Sequence, residues 1–348
     1  MGEMKKVRLG RTGLMVTKTS FGALPIQRVS FDEAARLLRT AYEAGVNFFD
    51  TANSYTDSEE KIGYALSDVR EKIIIATKSA YTTPGNADMV KRNLELSLRR
   101  MKTDYIDILQ FHNPAFCPTE EDPAYQYLVE MKRQGVVRHI GITNHRLFVA
   151  HEAIDSGLYE TLQFPFSVLA GEKDTEVVEK CQKADVGFIC MKAMSGGLIR
   201  EPKATFAFLQ KYPNVVPIYG VQRMEELKQW LELDANPPVW DEELEASVEK
   251  ERRELAGDFC RSCGYCLPCP QEIPIPNAAR IQFLMTRSPY KPYLTKEWRE
   301  GMDRIDSCIH CNHCKNHCPF GLDTPSLLVS QKAWYDKFYE EHRDEIAD

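Results

Sequence analysis

Val46-Asn47-Phe48-Phe49-Asp50-Thr51-Ala52-Asn53-Ser54-Tyr55 is the stretch on which the fold turns. Its first five residues form a β-rich run that closes on an acid. The segment before it, Phe31 to Ala44, repeats Ala34, Leu38 and Tyr42 at helical spacing, and Gly45 between the two suits a helix stop. Helix, strand and a polar strand end thus follow one another within 25 residues.

The alternation continues outward. Strands are expected at Thr19 to Leu24, Val46 to Asp50, Ile73 to Lys78, Tyr105 to His112, Val136 to Ile142, Thr161 to Phe164, Gly187 to Met191 and Val215 to Tyr219. A second clear helix covers Ala87 to Met101, where Val90, Leu94 and Leu98 recur. Eight strand and helix pairs between Lys18 and about Trp230 predict a closed (β/α)8 TIM barrel. An open doubly wound sheet is the competing arrangement, but no Gly-x-Gly-x-x-Gly follows the first strand. Residues before Lys18 (Val7, Leu9, Gly10, Gly13, Leu14, Val16) read as a hairpin that closes the barrel bottom.

In such a barrel the chemistry sits where strands end. Those ends supply Asp50, Lys78 and His112, with Tyr55 in the loop just after Asp50. Singly these are a helix cap, a solvated charge and packing residues. At successive strand ends they make a carbonyl-reducing set. Delivering hydride to a carbonyl requires a proton donor at its oxygen, and a tyrosine with a pKa of about 10 is a poor acid near neutrality. An ammonium beside it lowers that pKa. Lys78 is expected to do this, Asp50 to hold Lys78, and His112 to orient the carbonyl oxygen.

The motifs Asp50 to Tyr55 with Ser58-Glu59, Ala76-Thr77-Lys78 and Leu109-Gln110-Phe111-His112, preceded by Leu9-Gly10-Arg11-Thr12-Gly13-Leu14, resemble the aldo-keto reductase family over roughly residues 5 to 232. The resemblance implies a nicotinamide cofactor, NADP or NAD, across the barrel mouth, with Asp50, Tyr55, Lys78 and His112 as the catalytic tetrad. It further implies that Thr143-Asn144, standing where the family has Ser-Asn, and Gln163 bind the carboxamide. Met191 stands in place of the aromatic residue that usually stacks on the ring. Gly220-Val221-Gln222-Arg223 resembles the phosphate-binding turn, where a helix start offers free backbone N–H groups. Glu226 departs from the basic residue of many NADP-using members.

After Asn236-Pro237-Pro238 the pattern changes, so a barrel over 1–236 and a mainly helical second domain over 237–348 are expected. A charged helix, about Asp241 to Leu255, leads into it; Pro270 to Ser307 reads as two helices around Arg287-Ser288-Pro289, and Ser326 to His342 as a helical tail. Eight of the eleven cysteines fall in two runs. Cys308-x2-Cys311-x2-Cys314-x3-Cys318-Pro319 is the bacterial ferredoxin spacing for 4Fe-4S clusters. Cys260-x2-Cys263-x2-Cys266-x2-Cys269-Pro270 matches it with the last gap one residue short. In two-cluster ferredoxins the fourth cysteine of each run ligates the other cluster. By that rule Cys260, Cys263, Cys266 and Cys318 hold one cluster, and Cys308, Cys311, Cys314 and Cys269 the other. Structural zinc, helped by His310, His313 or His317, is the alternative, although zinc ribbons use cysteine pairs. The module resembles a helical ferredoxin, and the whole chain the iron-sulfur branch of the aldo-keto reductases. Cys117, Cys181 and Cys190 read as ordinary small residues.

With 43% hydrophobic and 27% charged residues, the 348-residue chain has the composition of globular protein. A net charge of -7 without a long basic run argues against nucleic acid, and no stretch reaches the roughly 18 apolar residues of a membrane span. Clustered thiols without a signal peptide read as cytoplasmic. The expected partners are a small-molecule carbonyl or alcohol and an electron-transfer protein. Nicotinamide moves two electrons and each cluster one; a flavin usually mediates, and no flavin motif is present. A plain carbonyl reductase with structural or regulatory clusters, and an electron-transfer protein without catalysis, are therefore the competing functions.

Overall fold

A computed structural model describes residues 4–255, 259–262, 264–287, 290–318 and 320–343. By mutual contact the chain divides into two units, Met1–Ala193 with Lys203–Val248 and Met194–Pro202 with Glu249–Asp348.

The first unit opens with an antiparallel pair, β1 (Lys6–Arg8) and β2 (Met15–Thr17), as expected of the hairpin. Leu9 and Val16 are buried among the barrel interior residues Phe48, Ala76, Ile108, Ile189 and Val216. Eight parallel strands follow: β3 (Ser20–Gly22), β4 (Phe48–Asp50), β5 (Ile74–Ala80), β6 (Ile106–His112), β7 (Val137–Thr143), β8 (Thr161–Pro165), β9 (Gly187–Met191) and β10 (Val215–Gly220). Each pairs with the next, and β10 pairs back onto β3, so the sheet is a closed barrel. The connecting helices are α1 (Phe31–Glu43), α2 (Ser58–Leu66), α3 (Asp88–Met101), α4 (Pro123–Arg133), α5 (Leu147–Ser156), α6 (Glu172–Lys183), α7 (Pro202–Gln210) and α8 (Met224–Ala235).

Local chemistry sets these boundaries. Ser30 begins α1 by accepting from the Glu33 N–H while the Glu33 carboxylate accepts from the Ser30 N–H, both at 3.2 Å. The helix buries Ala34, Leu37, Leu38 and Ala41 and stops before Gly45, whose φ of +106° an L side chain rarely adopts. Helices α2 and α3 touch backbone to backbone at Gly63, where a Cβ would lie 2.2 Å from the Arg100 carbonyl oxygen. That approach brings Glu59 on α2 within 3.4 Å of the Arg100 guanidinium on α3.

In the second unit, α9 (Glu242–Glu254), which begins in the first, is followed by α10 (Ile275–Ala278), α11 (Ile281–Arg287), α12 (Lys296–Asp303), α13 (His313–Asn316) and α14 (Thr324–Glu341). The expected interruption at Ser288-Pro289 lies outside the described residues. Ile273, Ile275, Ile281, Met302, Leu328 and Tyr335 form the core, with Cys266 and Cys314 buried in it. Arg299 pairs with Asp303 and Asp336, and Lys332 with Asp303, Asp306 and Asp336, which ties α12 to α14. Among the described residues no helix is long and apolar enough to cross a membrane.

Candidate active site and cysteine hollows

Lys78 lies two residues inside β5, because the strand runs on to Ala80 where the sequence suggested it would end. Depth explains its burial. With 1% of its surface exposed, its Nζ donates to Asp50 Oδ1 at 2.6 Å and to the Thr51 carbonyl at 2.5 Å. Asp50, the last residue of β4, is equally sealed; Gln163 Nε2 approaches its Oδ1 at 3.4 Å and Gln110 Nε2 its Oδ2 at 3.5 Å. Burial pushes the Asp50 carboxyl up and the Lys78 ammonium down, and each charge partly offsets the other's shift.

Above this pair stand Tyr55 and His112, both only half-buried. Their rings meet edge to face with centroids 5.8 Å apart, and Lys78 Nζ lies 5.3 Å from the Tyr55 ring centroid. The structure therefore gathers all four expected residues. It departs from expectation in the electrostatics. Burial, and after it the Asp50 charge, raise the Tyr55 phenol above its ordinary value. Burial, helped by Lys78, pushes His112 down to about 3, so its imidazole is neutral near pH 7. Ser54 Oγ lies 3.3 Å from His112 Nδ1 and, as donor there, leaves a proton on Nε2.

The remaining rim positions are more committed than the sequence suggests. Asn144 is fully buried; its Nδ2 donates to the Pro114 carbonyl at 2.8 Å and its Oδ1 accepts from the His145 and Arg146 N–H groups. Thr143 Oγ1 makes a long 3.9 Å contact to Met191 Sδ, and Met191 belongs to the buried barrel cluster. The turn Gly220-Val221-Gln222-Arg223 does precede a helix, α8, but its N–H groups are not all free. Glu226 accepts from the Gln222 N–H at 2.8 Å and the Arg223 N–H at 3.1 Å, and also pairs with the Arg223 side chain at 2.8 Å. A carboxylate thus takes the place expected for an anionic ligand.

Two networks escaped the reading of the sequence. Gln110 donates to Gln163 Oε1 at 2.9 Å, and its own Oε1 is buried with no partner among the described residues. Behind the site the buried Glu59 carboxylate collects Thr77 Oγ1 at 2.6 Å, Asn53 Nδ2 at 3.3 Å and Arg100 Nη1. The Gln110 in Leu109-Gln110-Phe111-His112 was the available signal, since a polar residue at an inward strand position two before His112 shares its face.

The cysteines gather around two hollows in the second unit. One is lined by Cys269, Cys308, Cys311 and Cys314, with Cys266 and His313. The other is lined by Cys260, Cys266 and Cys318, with Cys314 and Arg261. Cys263 and Pro319 lie outside the described residues. Among the described residues no three histidine, cysteine or carboxylate side chains are arranged to hold a single metal ion. Burial pushes the Cys117 thiol up to about 11 and Cys181 to about 12, and raises Cys190 further, which leaves them as inert small residues.

A closed parallel barrel of this kind is shared with known proteins. The aldo/keto reductase family model matches residues 17–206, and the chain belongs to that family of oxidoreductases; a 4Fe-4S dicluster domain model matches residues 259–323. L-galactose dehydrogenase of Arabidopsis thaliana is 35% identical over 214 residues, covering 56% of this chain and 66% of that protein. The first curated relatives are matched over about two thirds of their own length. Among solved structures, an aldo-keto reductase from Bacillus halodurans superposes with a TM-score of 0.62 at 22% identity, covering 72% of this chain and 96% of that one. An aldo/keto reductase from Klebsiella pneumoniae in complex with NADP and acetate gives 0.60 at 20% identity, covering 71% and 95%. These two show the fold.

The buried pair generates a stability prediction. Lys78→Met leaves the Asp50 charge sealed without its partner and should cost about 3–5 kcal/mol in denaturant unfolding. The double variant Asp50→Asn, Lys78→Met should recover much of that loss. Equal destabilisation by both would show that the charges are not coupled.

Proposed function

We infer that the barrel is a nicotinamide-dependent oxidoreductase that interconverts a carbonyl and an alcohol, beside a module that holds two 4Fe-4S clusters. The observation that carries the first part is the sealed Asp50–Lys78 pair beneath two half-buried, proton-capable side chains, Tyr55 and His112. A nicotinamide coenzyme, NADP or NAD, supplies hydride when bound. The residues fit one: the amide oxygen of Gln110, without a partner among the described residues, the adjoining Gln163 and the weakly bonded Thr143 hydroxyl offer groups for a carboxamide.

The chain's own residues do the rest. Neutral His112, with a proton on Nε2, donates a hydrogen bond to the carbonyl oxygen and orients it. Tyr55 carries its proton near neutrality, as any phenol does, and the raised pKa makes it a weaker acid. Proton release is then favoured by the negative charge that grows on the substrate oxygen. Lys78, neutralised by Asp50, fixes the electrostatic floor of the site and holds the β4 end to β5.

For the second part, the hollows support crossed ligation. Cys318 lines the hollow of Cys260 and Cys266, and Cys269 that of Cys308, Cys311 and Cys314. Four-iron clusters exchange single electrons, and a one-electron carrier protein is the partner this implies. A plain reductase whose clusters are structural is the competing reading; chemical reduction of the clusters followed by addition of NAD(P)+ separates the two by whether NAD(P)H forms.

Tyr55→Phe should lower kcat/KM for a panel of aldehydes and ketones by about 10²–10⁴-fold while the coenzyme Kd stays within a factor of a few. A variant that keeps most of its turnover would remove Tyr55 from the chemistry.

Glu226→Arg should shift preference from NADH toward NADPH in paired Kd measurements, because it exchanges a repelling carboxylate for a cation suited to the 2′-phosphate. An unchanged ratio would place the adenosine ribose elsewhere.

Anaerobically purified protein should contain about eight irons per chain. Cys318→Ala should injure the cluster of Cys260, Cys263 and Cys266 and spare that of Cys308, with Cys269→Ala doing the reverse. Electron paramagnetic resonance on each variant reads this; damage to the run that carries the mutation would mean uncrossed ligation, and zinc without iron would defeat both arrangements.

A further inference from the structure

The short helix α13 opens on His313, between Cys311 and Cys314. His313 lines the hollow of Cys269, Cys308, Cys311 and Cys314. Its Nε2 is shielded from solvent and has no hydrogen-bond partner among the described residues. The ring is held in this position by its neighbour: it packs on His317 with centroids 4.0 Å apart, and the His313 carbonyl accepts from His317 Nδ1 at 2.8 Å. Buried polar atoms in folded proteins nearly always have a partner. Here the thiol-lined hollow is where that partner belongs.

We propose that His313 Nε2–H donates a hydrogen bond to a sulfur of the cluster held by Cys269, Cys308, Cys311 and Cys314, and thereby raises that cluster's reduction potential. The inference rests on the two-cluster reading above. Reduction adds negative charge to the cluster, so a donor aimed at sulfur stabilises the reduced form more than the oxidised one. The second hollow contains Arg261 but no histidine among its lining residues. His313 is thus one of the polar side chains by which the two hollows differ. Ligation by His313 is less suited, because four cysteines already serve that hollow with a fifth, Cys266, beside them.

Redox titration of the anaerobically purified full chain, followed by electron paramagnetic resonance, tests this. In His313→Leu one of two midpoints should move to more negative potential while the other stays, with iron content at the wild-type level. The signal that moves should be the one that survives Cys318→Ala. His313→Gln, whose amide keeps an N–H donor, should return most of the shift. Unmoved midpoints in iron-replete His313→Leu would overturn the proposal. Loss of about half the iron in that variant would overturn it too, in favour of a ligand. Wild-type protein with iron for one cluster or none would fail the two-cluster reading itself, before any variant is compared, and would take this proposal with it.

Discussion

Parallel pairing of β10 with β3 closes the barrel, and the placement of every rim residue follows from that closure. The seam matches Ile218 to Ser20, Tyr219 to Phe21 and Gly220 to Gly22. A Cβ on Gly22 would come within 3.0 Å of the Ile218 carbonyl oxygen and 3.2 Å of the Tyr219 carbonyl carbon, so the strands meet where glycine leaves room. Behind the seam the buried Tyr219 ring stacks on Trp230 of α8 at 3.8 Å. In a closed parallel barrel all the strands end on one rim. Asp50, His112, Thr143, Met191 and Gly220, each the last residue of its strand, must therefore share one mouth.

Inside that mouth, desolvation outweighs charge. A free ammonium next to a phenol would lower its pKa, and that is what the residue types alone suggest. Here the ammonium of Lys78 is instead bonded to Asp50 at 2.6 Å. What remains at Tyr55 is burial and an uncancelled share of the Asp50 field, and both act upward. The same burial holds His112 neutral, where a solvated imidazole would be partly charged. The site thus keeps its proton on the phenol and its imidazole uncharged near neutrality.

Strand order, the barrel and the four central residues were legible because each rests on local pattern: alternation of periods, strand ends and a run such as Asp50 to Tyr55. Charge state was not, since it depends on depth, and the depth of Lys78 depends on two further strand residues, Ser79 and Ala80. The Glu59 network was hidden for another reason. Thr77, Asn53 and Arg100 come from three separate elements and converge because α2 and α3 touch at Gly63. Glu226 stood out as a departure from its family's usual cation, yet its use as a cap on Gln222 and Arg223 is a matter of backbone geometry that no spacing reveals. Likewise, the segment Met194–Pro202 follows β9 in sequence but belongs by contact to the second unit, where Arg280 donates to the Gly196 carbonyl at 3.1 Å.

The cysteine runs carry a final constraint. Cys266 and Cys314 are buried members of the second unit's apolar core, and each lines both hollows. The fourth positions, Cys269 and Cys318, line the hollows of the opposite runs. Under crossed ligation each cluster bridges residues that the insert of α10 to α12 separates along the chain. Closing so long a loop costs entropy in a chain not yet folded, and the apolar packing of Ile275, Ile281, Met302 and Tyr335 offsets it. Under that arrangement the core of the insert and the thiolates would stabilise one another, packing bringing the runs together and ligation favouring the packed state. Such coupling would make cluster occupancy part of the module's folding free energy, as it is for other metal-bound domains.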